Sequence, residues 1–195
     1  MSHQNSTVSV ALLYHPVYNK KGDVVTTAVT NLDVHDISRI GRTYGVADFY
    51  IVTPLKIQRE FVQRILSHWR EGYGATANPA RKEAFDIVSV RHSLEEIREE
   101  TVRITGAPAF LVATSASNQI PAGSYESLRK MIEDGNRHFL ILFGTGWGLA
   151  KEVIDQADFT LEPIAGSTGY NHLSVRSAVS IVMDRLLGRR EKKDR

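Results

Sequence analysis

The chain has 195 residues, 42% of them hydrophobic and 24% charged, so it is long enough to bury a core, and we expect one domain over residues 1–188. The absence of cysteine excludes disulfides, thiolate nucleophiles and cysteine zinc sites. The net charge of +2 comes from a basic tail over residues 189–195, so any surface that binds nucleic acid must be local.

No apolar stretch approaches the ~20 residues that a membrane span needs, and the polar residues 1–6 do not resemble a secretion signal. We therefore expect a cytoplasmic protein. The seven histidines show no paired-ligand spacing, so we also expect no metal site.

Six short apolar runs alternate with longer amphipathic segments along the chain. Each run has the length and composition of a buried strand. The runs are residues 8–14, 48–53, 86–90, 109–114, 138–143 and 159–164. Strands that alternate with helices predict an α/β fold with a mostly parallel sheet and helices on both faces.

Two segments between these runs carry a clear helical period. The apolar positions of the first are Ile57, Phe61, Ile65 and Trp69, and those of the second are Leu94, Ile97, Thr101 and Ile104. Ser93 and Glu96 have the spacing of a capping box, which predicts where the second helix begins. Residues 71–79 have no period and many turn residues, which predicts an exposed, mobile loop.

The most informative segment is residues 140–149, where a strand leads directly into Gly144, Gly146 and Gly148 and then into a helix. Glycines let backbone N–H and C=O groups approach a ligand, because no Cβ is in the way. A tight structural turn would explain the same glycines. The loop lacks the Gly-Lys-Ser/Thr of a P-loop and the third glycine of the dinucleotide fingerprint. It also lies in the C-terminal third, whereas a dinucleotide fold has this loop after its first strand.

A second loop of small residues follows the last predicted strand, over residues 162–174. Ser174 is a suitable N-cap for the helix that follows. The predicted buried side of that helix is Val175, Val179, Val182 and Leu186.

These two segments resemble the C-terminal motifs of the SPOUT methyltransferases, especially the SpoU branch, which has Gly-x-Glu-Gly-x-Gly, then Ile-Pro-Met-x-Gly and Ser-Leu-Asn-Val-Ser. The matching residues are Gly144, Gly146 and Gly148 in the first motif, and Pro163, Gly166 and Ser174 in the second. Arg39, six residues before Gly45, matches an N-terminal arginine of the branch. The chain is similar in particular to a bacterial SPOUT family labelled tRNA (guanine-N1) methyltransferase-like.

Three positions depart from the SpoU pattern. Asp33 stands where the branch has asparagine, six residues before the arginine. Tyr170, Asn171 and His172 replace Ser-Leu-Asn, and Gly146 replaces the glutamate of the glycine loop. These changes bear on a 2′-O-ribose target more than on cofactor binding.

The resemblance implies a C-terminal trefoil knot, a homodimer, and S-adenosylmethionine (SAM) held in the knot loops largely by main chain. The implied cofactor contacts are Thr114, Gly144, Gly146, Glu162, Ile164, Asn171 and Leu173. The implied substrate is structured RNA, either tRNA or rRNA.

Three side chains are candidates for the chemistry. Arg39 would orient the acceptor nucleotide or an RNA phosphate, although an exposed helix arginine has the same pattern. His172 would act as a base, because the unperturbed pKa of histidine is about 6.5, and a surface histidine is the alternative. Ser174 is the third candidate, with helix capping as its simpler role. Tyr18 or Tyr73 would supply base stacking.

Two other functions remain open. A nucleotide-binding oxidoreductase would use residues 144–148, with Glu162 as the ribose acceptor, although only one predicted strand follows that loop. A non-catalytic RNA-binding module of the same fold would bind RNA without methyl transfer.

Overall fold

The computed structural model describes residues 6–190, so all but two residues of the basic tail lie outside the described residues. The strands are β1 (Thr7–Leu13), β2 (Val17–Tyr18), β3 (Val24–Val25), β4 (Phe49–Val52), β5 (Val88–Arg91), β6 (Phe110–Thr114), β7 (His138–Gly144) and β8 (Phe159–Leu161). The helices are α1 (Asn31–Tyr44), α2 (Lys56–Arg70), α3 (Tyr73–Ala77), α4 (Pro79–Phe85), α5 (Leu94–Thr105), α6 (Tyr125–Glu133), α7 (Lys151–Ile154) and α8 (Val175–Leu187). All six predicted strands are confirmed, with ends that differ by at most three residues.

The six longer strands form one parallel sheet in the order β5-β4-β1-β7-β6-β8. The prediction of a mostly parallel sheet is therefore confirmed. The central strands β1 and β7 are mostly apolar and are buried over nearly their whole length, because helices cover both of their faces. Leu12 and Phe143 lie in the core beneath α1, α6 and α8, whereas Leu13 and Leu142 lie in the core beneath α5 and α7.

This strand order places four loops at one edge of the sheet. Strands β1, β7, β6 and β8 are neighbours and run parallel, so the loops that follow them leave from the same side. The register is direct, since Gly144 pairs with Leu13 and Thr114 pairs with Leu161. The short antiparallel hairpin of β2 and β3, which the sequence did not predict, lies in the loop after β1.

The helix caps are confirmed where local sequence signals are strong. Helix α1 ends at Gly45, which takes the left-handed backbone conformation with φ 73°. The hydroxyl of Ser93 accepts from the backbone N–H of Glu96 at the start of α5. The hydroxyl of Ser174 accepts from the N–H of Ser177 and caps α8 in the same way.

The loop predicted over residues 71–79 is wrong, because this stretch forms α3 and the first residue of α4. Gly74 is buried so closely against Trp69 that a Cβ at this position would lie 2.7 Å from the ring. Asn78 accepts a hydrogen bond from the N–H of Arg81, and Pro79 fills the first turn of α4. These turn-forming residues therefore allow close packing and capping of short helices.

Three apolar residues predicted on helix faces are exposed. Ile57 and Phe61 of α2 are 70% and 43% exposed, and Ile104 of α5 is 73% exposed. The fully buried positions of α2 are Val62 and Leu66 instead. The period identified the helices, but the side that meets the sheet is set by neighbours distant in sequence. No helix within residues 6–190 combines the length and apolarity that a membrane crossing requires.

Candidate active site

A cavity of ≈ 910 Å³ opens at the edge of the sheet where β1, β7, β6 and β8 end. Its volume lies in the ~300–1,000 Å³ range of small-molecule sites. Its walls come from the loops after these strands and from the first turns of α8. Ligands in parallel α/β sheets bind at this carboxyl edge, because the strand ends there give way to loops.

The structure brings most of the predicted site residues together in this cavity. All seven predicted cofactor contacts line it: Thr114, Gly144, Gly146, Glu162, Ile164, Asn171 and Leu173. Two of the three candidate catalytic residues, His172 and Ser174, line it as well. Arg39 does not.

The glycine loop after β7 is held by the β2–β3 hairpin. The N–H of Trp147 donates to the carbonyl of Tyr18 over 2.8 Å, and the N–H of Tyr18 donates to the carbonyl of Gly148 over 2.9 Å. Gly146 has φ 60°, and a Cβ there would lie 2.8 Å from the carbonyl oxygen of Tyr18. A Cβ at Gly144 would lie 2.6 Å from a backbone nitrogen of its own loop. Chain packing therefore requires both glycines, whether or not a ligand is bound.

Three polar side chains join the loops to one another around the cavity. Thr114 donates through Oγ1 to the carbonyl of Leu142 over 2.8 Å. Glu162 accepts through Oε1 from the N–H of Tyr125 over 2.8 Å, and Asn171 donates through Nδ2 to the carbonyl of Ala116 over 2.7 Å. These residues shape the cavity by fixing its loops.

Asp33 is a buried carboxylate on the cavity wall, only 5% exposed. Its Oδ2 accepts from the phenol of Tyr14 over 2.9 Å, and its Oδ1 accepts from Nη1 of Arg176 over 3.3 Å. Burial and the adjacent carboxylate raise the pKa of Tyr14 well above its usual value, so its phenol stays protonated and donates. Sequence reasoning noted Asp33 only as a departure from the SpoU asparagine, and that departure was the signal for it.

Arg39 lines a separate depression of ≈ 530 Å³ beside the cavity, together with Asp36, Ser174 and Arg176. Arg176 connects the two sites, because its Nε also lies 3.3 Å from Oδ2 of Asp36. Ser174 lines both sites. Arg39 is exposed, and among residues 6–190 no acidic side chain lies within ion-pair distance of its guanidinium.

His172 lies at the mouth of the cavity among aromatic side chains. Its ring centroid is 6.5 Å from that of Trp147 and 5.5 Å from that of Tyr170. Within residues 6–190 no group of three histidine, aspartate or glutamate side chains is placed to hold a metal ion.

The sequence profile of a family described as SAM-dependent RNA methyltransferase matches residues 7–188. The chain belongs to this family. The resemblance to RNA methyltransferases that use SAM is thereby confirmed, and the family match speaks against the oxidoreductase alternative. In agreement, within residues 6–190 only β8 follows the glycine loop in the sheet.

Relatives of this RNA methyltransferase cover nearly its whole length. An uncharacterized protein of Aquifex aeolicus is 39% identical over 185 residues, which are 95% of this chain and 90% of that protein. A protein of Oleidesulfovibrio alaskensis named tRNA (guanine-N(1)-)-methyltransferase is 42% identical over 178 residues, which are 91% of this chain. The match spans only 41% of that longer relative.

Solved structures with the same fold have much lower sequence identity to the methyltransferase. TrmJ from Z. mobilis superposes with a TM-score of 0.61 at 16% identity, covering 97% of this chain and 73% of that one. The SpoU methyltransferase AviRb from Streptomyces viridochromogenes, in complex with the cofactor AdoMet, has a TM-score of 0.54 at 14% identity, covering 96% and 58%. These similarities support the α/β fold with its parallel sheet.

Proposed function

We propose that the ≈ 910 Å³ cavity binds SAM and that the protein transfers the methyl group to a nucleotide of tRNA or rRNA. The observation that carries this proposal is the convergence of seven predicted contact residues, from three separate loops, on one cavity. The name of the Oleidesulfovibrio relative favours tRNA as the first substrate to test. With RNA as substrate, we place the protein in the cytoplasm.

The cavity suits a cationic ligand with an apolar part. Leu161, Ile164 and Val182 supply apolar wall, and Asp33 and Glu162 supply carboxylates. Arg176 pairs with Asp33, whereas Glu162 accepts its hydrogen bond from a neutral backbone N–H, so Glu162 leaves the cavity lining with a net negative charge. Opposite charge at a partly buried site attracts a sulfonium more strongly than in water.

When bound, SAM supplies an electrophilic methyl group. The loops around the cavity have to hold the acceptor atom about 3 to 3.5 Å from the methyl carbon, because alignment is the main requirement of such a transfer. His172 at the mouth is placed to accept a proton at a ring nitrogen from an acceptor that carries one. Arg39 binds an RNA phosphate from the adjoining depression, and Ser174 positions the start of α8 between them.

We further propose that the C-terminal half is knotted and that the chain forms one domain and a homodimer. Contacts between the segment after β8 and the loop after β6 support a threaded arrangement. The N–H of Glu162 donates to the carbonyl of Gly123 over 2.9 Å, and Asn171 donates to Ala116. An experimental chain trace tests the knot, and analytical ultracentrifugation tests the dimer.

The function is tested by titrating the purified protein calorimetrically with SAM and with NAD, and then by incubating it with labelled SAM and unmodified total tRNA or rRNA. We expect binding of SAM and transfer of label to RNA. Nicotinamide binding without SAM binding would overturn the proposal, and RNA binding without transfer would favour a non-catalytic module. Mass spectrometry of nucleosides from cells with and without the gene then identifies the methylated product.

A further inference from the structure

Three aromatic side chains, Trp147, Tyr170 and His172, cluster at the mouth of the cavity and are termed the aromatic rim. The indole of Trp147 is 60% exposed and the phenol of Tyr170 is 70% exposed. Within residues 6–190 only two other Phe, Tyr or Trp side chains are comparably exposed, Phe61 and Tyr73. Trp147 and His172 also line the cavity itself.

The fold does not require these rings. Trp147 is held through its backbone N–H, which donates to the carbonyl of Tyr18, and its ring belongs to neither core cluster. The backbone N–H of Tyr170 likewise donates to Oγ1 of Thr168. Large aromatic surfaces that remain in water beside a binding cavity indicate a partner with flat apolar faces.

We propose that the aromatic rim stacks an unpaired nucleobase of the RNA at or next to the acceptor nucleotide. This inference rests on the proposed methyl transfer to RNA. An acceptor base must leave its own stack to reach the cavity, and aromatic side chains replace the stacking that it loses. The ring of His172 makes interplanar angles of 59° with Trp147 and 74° with Tyr170, so it stacks face to face on neither of them.

The chemistry of the rim favours a base over a phosphate. The nearest basic residues along the chain are Lys151 and Arg176. Lys151 is paired with Asp155 over 2.6 Å, and Arg176 is paired with Asp33 and Asp36 over 3.3 Å. The imidazole of His172 can hydrogen-bond to a base edge, whereas the two other rings offer π faces.

The rim also replaces the stacking candidates chosen from sequence. The hydroxyl of Tyr18 accepts from the N–H of Lys151 over 3.0 Å, which holds this side chain against the start of α7. Tyr73 is 81% exposed but lies on α3. This helix follows the end of α2 that is farther from the carboxyl edge of the sheet. Tyr73 is therefore a matched exposed control.

The test compares Trp147→Leu and Tyr170→Leu with Trp147→Phe, Tyr170→Phe and the control Tyr73→Leu. Affinity for unmodified total tRNA is measured by filter binding at one fixed salt concentration, and affinity for SAM by calorimetry. We expect each rim leucine variant to weaken tRNA binding by about 5-fold to about 150-fold, the range of one lost base stack. The phenylalanine variants and the control should retain tRNA affinity. Tyr170→Leu should also retain SAM affinity, because Tyr170 does not line the cavity.

A second measurement uses Trp69→Phe. The chain has two tryptophans, so this variant retains Trp147 alone. Single-stranded RNA should quench its fluorescence because a base stacks on the indole.

Unchanged tRNA affinity in the leucine variants would overturn the inference. In Tyr170→Leu, loss of SAM affinity equal to the loss of tRNA affinity would overturn it too, since the rim would then cover the cofactor. If a rim leucine variant had a different sedimentation coefficient from the unaltered protein, the rim would instead be an interface between two copies of the chain. Failure of the unaltered protein to bind SAM would contradict the proposed function. Equal tRNA affinity in the rim leucine variants and the unaltered protein would contradict the proposed role of the rim, so the two failures are distinguishable.

Discussion

Gly146 combines a left-handed backbone with close packing against the hairpin carbonyl of Tyr18. The sequence left two reasons open for its lack of a side chain: the approach of a ligand to the backbone, and a tight structural turn. The structure supports the second reason, because a Cβ would push against the β2–β3 hairpin, 2.8 Å away, and positive φ alone costs about 1–2 kcal/mol. Glycine at this position therefore allows the loop to pack against the β2–β3 hairpin that supports it.

Gly146→Val should abolish SAM binding and lower the melting temperature, because the displaced hairpin no longer supports the loop. Calorimetry and thermal denaturation measure the two effects. Gly166→Ala is the matched control, since Gly166 lies in the second loop and has open space around its Cα. Wild-type affinity in Gly146→Val would mean that a different loop binds the cofactor.

Asp33 stabilises the cavity through the two hydrogen bonds that its carboxylate accepts. Asp33→Asn keeps the shape of the side chain but removes the charge that pairs with Arg176. We expect the free energy of unfolding to fall by about 1.5 to 3 kcal/mol, the contribution of a hydrogen bond to a charged group, and SAM affinity to decrease. Urea denaturation and calorimetry measure both, with Asp36→Asn as the more exposed control. If both quantities stayed at wild-type values, Asp33 would have no electrostatic role.

At the scale of elements, β7 begins with a histidine whose protonation opposes folding. Nε2 of His138 lies 2.9 Å from Oγ of Ser9, and burial lowers the pKa of His138, with the carboxylate of Asp48 partly opposing this. The folded protein therefore binds this proton less readily than the unfolded chain does. Stability from this source is complete above the unfolded pKa of about 6.5 and is lost as the pH falls toward the lower folded pKa.

The free energy of unfolding should accordingly decrease between about pH 7 and about pH 5, and His138→Gln should make this decrease smaller. Urea denaturation followed by circular dichroism at several pH values measures it. His92→Gln is the control, because His92 is exposed in the loop before α5. Identical pH slopes for the wild type and His138→Gln would assign the effect to other groups, of which His35, its pKa also lowered by burial, is the first.

The helices and strands also show which structural features local sequence determines and which it does not. Strand runs and caps were predicted because composition and capping spacing act within a few residues. The β2–β3 hairpin and α3 were missed because two-residue strands and five-residue helices carry too little pattern to recognise. They depend instead on contacts such as that of Gly74 with Trp69.

At the scale of the whole molecule, the cavity and the depression around Arg39 adjoin through Ser174 and Arg176. An RNA bound at the cavity mouth can therefore place a phosphate over Arg39. The guanidinium has no ion-pair partner within residues 6–190, which leaves it available for this contact.

Arg39→Ala should weaken tRNA binding and reduce the slope of log affinity against log salt by about 1, while SAM affinity stays unchanged. Filter binding across a salt series measures the slope. Arg42→Ala on the same helix is the control, because Arg42 is paired with Glu83. An unchanged slope would show that Arg39 contacts no phosphate.

The sequence by itself determined the α/β class, the parallel sheet, the two loops of small residues and, through its motifs, the family. These features follow from local periodicity and from residue types at fixed spacing. Only the tertiary structure decided which distant residues meet, such as Asn171 with Ala116, 55 positions apart. It also decided that Asp33 is buried on the cavity wall, that Arg39 lies outside it, and that Trp147 and Tyr170 remain exposed at its mouth. Whether a residue is buried depends on the residues that pack against it. In this fold the strand order brings those residues together from distant parts of the sequence.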